Sequence, residues 1–269
     1  MSQKIKTQQE LLTAYMKANK DRREIIANNA GFTSGNQYKA HLTRQIAKQP
    51  KTVEDAFPDA ILPIVIHNVH IIDKSSSMIG SKLVNAVKGV NNEIKQLKQQ
   101  TKVEYLETVV SFSYDRNYQV HLDKVPVSEA SRISITGNGL TALNSSIGNT
   151  LERVMKTQQV GEKIIVKVFT DGGENASTGK YKSAQAVREL IDVCKTHDIT
   201  VSFVGTENDV ATVVKNLAID ASNTLIHDNT AAGVEQAFKT TQVATKKYAM
   251  RAMAGEDTLK GFYKESGKL

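Results

Sequence analysis

From residue 60 onward two periodicities alternate along the chain. Apolar, largely β-branched runs occupy 61–72 (ILPIVIHNVHII), 103–113 (VEYLETVVSFS), 118–122 (YQVHL), 163–169 (KIIVKVF), 199–204 (ITVSFV) and 223–227 (NTLIH). Between them, apolar residues recur at helical spacing over 81–99, 142–156, 182–197, 209–218 and 230–243, and a further helix is expected at about 246–263. Strands alternating with helices predict an α/β protein with a doubly wound, mainly parallel six-stranded sheet covered on both faces. The runs 103–113 and 118–122 are joined by the short turn YDRN, which predicts a hairpin and so an antiparallel edge.

Residues 7–48 carry a different pattern, that of three short helices. Thr7 and Glu10 have capping-box spacing ahead of Leu11, Leu12, Tyr15 and Met16. A second helix covers about 21–29 with Ile25 and Ile26, and Gly31 is placed to end it. Ser34 caps a third, in which Tyr38, Leu42 and Ile46 recur every four residues. A helix-turn-helix built on Ala27 and Gly31 would need large apolar residues at Gln37 and Ala40. The apolar side chains fall instead at Tyr38 and Leu42, so a basic helical arm is the better description.

Charge sharpens this division. The chain of 269 residues carries a net charge of +7, and all of the excess lies in residues 1–52, since the rest is balanced. Three of the four prolines, Pro50, Pro58 and Pro63, mark the transition. The expected organisation is a basic helical segment at 1–52, a linker at 53–59, an α/β domain at 60–243 and a helical tail at 244–269. A basic excess is an electrostatic footprint that also fits a nucleic acid. No apolar run is long enough to span a membrane, and residues 1–20 lack the apolar core of a signal peptide, so the expected location is the cytoplasm. The lone Cys194 sits in the apolar pattern of Val187, Leu190 and Ile191, as a small buried hydrophobe would.

In a doubly wound sheet ligands bind at the carboxyl ends of the strands, and three oxygen-rich loops fall there. The first, DKSSSM, gives Asp73, Ser75 and Ser77. The second, TGNGLTALNSSIG, brings Thr141 to a helix start behind Gly137 and Gly139. The third, VFTDGGENAS, ends a strand in Thr170 and Asp171. Two carboxylates and three hydroxyls without histidine or thiolate are hard ligands, suited to Mg²⁺, with Mn²⁺ or Ca²⁺ as substitutes. A site that supplies only some of six oxygens leaves a position that an acidic group of another molecule could take. His67 and His70, three apart in a strand, turn to opposite faces and share no site. No phosphate-binding G-x-x-x-x-G-K-[ST] and no G-x-S-x-G elbow occurs.

The order D-x-S-x-S, a glycine-rich loop with threonine, then T-D-G after a strand resembles the von Willebrand factor type A domain with its metal-ion-dependent adhesion site. The likeness covers about residues 60–243. It implies a Rossmann-like fold, metal coordination by the hydroxyls of Ser75, Ser77 and Thr141, and roles for Asp73 and Asp171 directly or through water. It also implies a non-enzymatic adaptor or assembly module, in an intracellular bacterial or viral setting, whose protein partner supplies a Glu or Asp. Two departures are Ser76, where the family often has glycine, and the polar residues His67 and His70 in the first strand. Two other readings remain: a nucleic-acid adaptor binding through residues 1–52, and a Mg²⁺-dependent phosphatase or phosphotransferase, for which the sequence offers no obvious general base beside the loops other than Glu174, three residues past Asp171.

Overall fold

The computed structural model describes residues 16, 20–29, 32–46, 64–159 and 161–264. The expected first helix apart from Met16, Gly31, the 53–59 linker and the last five residues lie outside them. By compactness the chain divides into an N-terminal unit, which also takes in residues 158–162, and the α/β unit.

In the N-terminal unit α1 (Lys20–Asn29) and α2 (Gly35–Ile46) match the second and third expected helices. Phe32 N–H closes α1 on the Ala27 carbonyl (2.8 Å), and Glu24 accepts from Gly35 N–H (2.9 Å). Tyr38 and Leu42 are buried with Ala27, while Gln37 and Ala40 are exposed. This apolar register is the one that argues against a helix-turn-helix. The Phe32 ring packs against Tyr38 and His41, with centroids 5.3 and 4.9 Å apart.

In the α/β unit β1 (Val65–Asp73), β2 (Glu104–Phe112), β3 (Gln119–Pro126), β4 (Glu162–Phe169), β5 (Ile199–Gly205) and β6 (Thr224–Ile226) form one sheet in the order β3-β2-β1-β4-β5-β6. All neighbours run parallel except the edge pair β2/β3. Order reverses between β1 and β4, so the switch point lies at the ends of those two strands. β3 runs four residues beyond the expected 118–122. The register shifts between Glu107 and Val110, with Lys124 at a positive φ of 54°, let the edge strand bend and continue.

One face of the sheet is a hydrophobic core. Val69, Ile71, Val110, Phe112, Val166, Val168 and Phe203 pack there against α4 (Leu143–Thr157), α5 (Ala184–Thr196) and α6 (Glu207–Leu217). Cys194 is in this core, and burial pushes its thiol up to about 12, as befits an inert hydrophobe.

The other face is covered by α3 (Ser81–Leu97) and α7 (Ala231–Met253). The two helices expected at 230–243 and 246–263 are one, which ends at Met253, and residues 256–264 fold back irregularly. Arg251 donates to the carbonyls of Lys260 (3.0 Å) and Gly261 (3.3 Å), Phe262 N–H donates to Asn223 (3.0 Å), and Tyr263 N–H donates to the Ser222 carbonyl (2.9 Å). Tyr248 and Phe262 are buried by this return, whereas Met250 and Met253 stay exposed.

Helices α3 and α7 meet at Gly89. A Cβ there would lie 2.3 Å from Cγ of Phe238, whose ring is itself stacked on Phe169 at 3.9 Å. Gly89→Ala is therefore expected to cost about 1–3 kcal/mol by overpacking. Urea unfolding checks this; an unchanged midpoint would mean that the helices separate freely.

The same face holds a charged cluster. His70, Glu93, Glu107 and Lys167 are each 0–1% exposed. Lys167 donates to Glu93 Oε1 (2.5 Å), Thr245 donates to the same oxygen (2.8 Å), and Asn68 donates to Glu107 Oε1 (2.9 Å). His70 Nε2 lies 3.7 Å from Glu107 Oε2 and 4.0 Å from Glu93 Oε2. His67, as its spacing requires, is apart from this group and pairs with Thr108 (2.7 Å).

Candidate functional site

The three loops converge at the carboxyl ends of β1 and β4. β1 ends in Asp73, and Lys74 N–H makes one further bond to the Phe112 carbonyl (2.8 Å). Asp73 Oδ1 then accepts from Ser75 N–H (2.7 Å), which turns the backbone out of the sheet. Ser76–Met78 form a single 3₁₀ turn anchored by buried Met78, and Gly80, at φ 92°, redirects the chain into α3. The run of serines ahead of the helix is thus a compact turn. It holds the Ser75 and Ser77 hydroxyls 3.1 Å apart, with Ser75 buried and both Ser76 and Ser77 exposed.

The second loop is tied to the first by its backbone. Ser76 N–H donates to the Gly139 carbonyl (2.9 Å) and Asn138 N–H to the Lys74 carbonyl (2.8 Å). Thr141 is held by the third loop, its N–H donating to Asn175 Oδ1 (2.8 Å) and its carbonyl accepting from Asn175 N–H (3.0 Å). The third loop also reaches the first. Thr170 donates to Asp73 Oδ2 (2.6 Å), and Ser77 donates to Asp171 Oδ1 (2.6 Å).

All five expected residues, Asp73, Ser75, Ser77, Thr141 and Asp171, are therefore in one place. A Cβ built on Gly172 would lie 3.7 Å from Ser77 Oγ and 3.8 Å from Thr141 Oγ1, with nothing else within 4 Å beyond Gly172 and its chain neighbours Asp171 and Gly173. The two hydroxyls therefore face a small open cradle. Thr141 is 3% exposed, and its hydroxyl has no hydrogen-bond partner among the described residues. Adjacent corners of an octahedron with bonds of about 2.1 Å are roughly 3.0 Å apart, close to the Ser75–Ser77 separation. The donor set fits a hard divalent cation. Among the described residues no group of three or more His, Cys, Asp or Glu could hold a metal, so the hydroxyls would be essential to such a site.

Burial pushes the Asp73 carboxyl up to about 6; bonds from Thr170 and Ser75 oppose this, and the Asp171 charge adds to it. Asp171 has its own counter-ion. Lys82, in the first turn of α3, donates to Asp171 Oδ2 and to Asn229 Oδ1 (2.9 Å). Lys74 points the other way, to Asn117 Oδ1 (3.0 Å) and Gln119 Oε1 (2.6 Å).

Sequence reasoning missed Lys82, Thr170 as a bond to Asp73, and Asn175 as the clamp on Thr141. Lys82 left a signal, being a cation at a helix N-terminus where the dipole disfavours it. Glu174, in the third loop, accepts from the N–H groups of Asn144 (2.7 Å), Ala176 (2.9 Å) and Ser177 (2.7 Å) and from the Ser177 hydroxyl (2.6 Å). It is a loop clamp and helix cap, and both its oxygens are engaged. A cavity of about 920 Å³ between the C-terminal half of α7 and residues 256–264 shares no residue with the three loops.

A six-stranded, mainly parallel sheet flanked by helices, with hydroxyls and carboxylates clustered at its switch point, defines a Rossmann-like α/β domain. Residues 69–242, more than half of the chain, match the model of the von Willebrand factor type A domain, and the chain belongs to that family. A search of curated proteins gives no match. Among solved structures the chain is similar to a von Willebrand factor type A protein from Catenulispora acidiphila (17% identity, 69% of this chain and 43% of that one, TM-score 0.51). It is also similar to the pilus adhesin SpaC from Lactobacillus rhamnosus GG (15%, 67% and 30%, 0.51) and to the PilB minor pilin from Streptococcus sanguinis (11%, 69% and 62%, 0.50). The chain spans less than two thirds of each, and at such identities the likeness is one of fold. No helix among the described residues is long and apolar enough to cross a membrane.

Proposed function

We propose that this domain is a metal-dependent protein-binding module. Asp73, Ser75, Ser77, Thr141 and Asp171 would hold Mg²⁺, with Mn²⁺ or Ca²⁺ as substitutes, and an Asp or Glu of a partner protein would complete the coordination. When bound, the cation supplies the charge that a partner carboxylate neutralises. The observation that carries the reading is the cradle above Gly172, which the unpartnered hydroxyl of Thr141 and the hydroxyl of Ser77 both face. Family membership supports a role in protein interaction, and adhesins and pilins among proteins of similar fold agree with it.

The rim fits a macromolecular contact. Ile79 (53%), Leu140 (58%) and Tyr114 (41%) are exposed, and each lies on or beside the first two loops. Ile79 packs near Gly137 and Tyr114 near Gly139. Apolar side chains around a charged centre suit a partner whose acidic residue is flanked by apolar ones.

The test is capture of partners from nuclease-treated source-cell lysate by the full chain, in Mg²⁺ and in EDTA, with Asp171→Asn in parallel. A protein retained in Mg²⁺ is expected to fall at least about tenfold, equivalent to roughly 1.4 kcal/mol, in EDTA and with the variant. Retention that ignores both would refute the metal-dependent reading.

A further inference from the structure

We propose that Lys82 is a tethered competitor for the divalent cation, an internal counter-ion that sets how much metal the site requires. This rests on the metal reading above and goes beyond it by assigning the residue that opposes loading.

The argument starts from an energetic oddity. α3 has no acidic residue in its first turn and instead carries Lys82 there. A cation at a helix N-terminus is opposed by the macrodipole and gains nothing from the free N–H groups. Asp171 supplies the compensation. Its side chain is fully buried and that of Lys82 is only 18% exposed, so the pair is shielded from solvent. Asp171 Oδ1 is taken by Ser77 and Oδ2 by Lys82, and both oxygens of this carboxylate are engaged by protein donors.

A divalent cation at the five-residue site and the Lys82 ammonium would draw on the same carboxylate and repel one another. The ammonium has an alternative place close by, because it already donates to Asn229 Oδ1, which is exposed. Loading then exchanges a partly buried ion pair for a metal contact, and the apparent metal affinity is lowered by what the ion pair was worth. Such a device keeps the carboxylate neutralised at low metal and makes loading depend on metal concentration.

A positioning role for Lys82 predicts the opposite sign. If the lysine only aims Asp171, removing it loosens the ligand and weakens metal binding; if it competes, removing it tightens binding. Calorimetric titration of the full chain with Mn²⁺ and with Mg²⁺ distinguishes these, using wild type, Lys82→Met, Lys82→Arg and Asp171→Asn. Lys82→Met is expected to bind Mn²⁺ at least tenfold more tightly than wild type. Lys82→Arg should stay near wild type, and Asp171→Asn should lose binding. In EDTA the Lys82→Met melting temperature should fall below that of wild type, and saturating Mn²⁺ should restore it. Wild type that binds metal with Lys82→Met equal or weaker overturns the competition and leaves the metal site standing. A chain that takes up no metal in either form overturns both.

Discussion

Lys167→Ala is expected to lower the unfolding free energy by about 3–5 kcal/mol, the largest single-residue effect anticipated in this chain. Lys167 projects from β4 into the interface with α3 and α7 and is completely buried. Its ammonium lies 2.5 Å from Glu93 Oε1 and 3.3 Å from the Thr245 hydroxyl. Burial pushes the Glu93 carboxyl up, but the Lys167 charge and the bonds from Lys167 and Thr245 together hold it below the usual carboxylate range. Removing the cation would strand a buried carboxylate next to Glu107. The cost belongs to the stranded charge rather than to the net value of the pair. Lys167→Met combined with Glu93→Met should therefore recover most of the loss, since buried ion pairs are often replaceable by apolar groups of similar volume. Urea unfolding of both singles and the double measures this. If the double loses the sum of the singles, the pair is not the energetic unit.

That cluster also shows where the sequence stopped being informative. Strand–helix alternation is local, so all six strands and the order of the elements were legible in a single chain. The three loops were legible because each is a short contiguous motif at a strand or helix end. Pairings between distant segments were not. Glu93 and Lys167 are 74 residues apart, and nothing in either neighbourhood names the other. Lys82 and Asp171 are 89 apart, and the oddity of a basic residue in a first helical turn was the visible sign. Helix α7 runs unbroken across the expected boundary at 243–246, through TTQVAT, residues 240–245, which is a poor helical stretch by propensity. In the fold Thr241 and Thr245 hydroxyls bond back to the carbonyls of Ala237 (2.8 Å) and Thr241 (3.0 Å), and their faces are buried against the sheet. Tertiary packing carried the helix through. Glu174 lies three residues past Asp171, yet its surroundings make it an acceptor for four donors, which sequence spacing does not reveal.

Stability is expected to fall as pH rises from about 6.5 to 8, and Glu107→Gln should remove that fall. Glu107 on β2 is fully buried, and burial pushes its carboxyl up to about 8; the Lys167 charge opposes this, the Glu93 charge adds to it, and the Asn68 bond opposes it. In the unfolded chain the group titrates near its model value of 4.5. Between those values the fold keeps a proton that the unfolded chain has released. The stabilisation is thus complete below 4.5 and lost as pH climbs to 8, at roughly 1.4 kcal/mol per pH unit. His70 has the opposite slope. Burial first, then the Lys167 charge, push it down to about 3 against Glu93, so it is neutral in the fold and gains a proton on unfolding below its model value of 6.5. The two slopes offset one another up to 6.5, and the Asp73 contribution, raised to about 6, is over by then. Of these three groups only Glu107 still titrates above 6.5, where it should cost roughly 2 kcal/mol by pH 8. Glutamine keeps the carbonyl that accepts from Asn68 and cannot ionise. The stability difference between variant and wild type should therefore change steadily with pH in favour of the variant. Urea midpoints at half-unit intervals from pH 5 to 8.5 measure it, and two parallel curves would mean that Glu107 is ionised in the fold throughout.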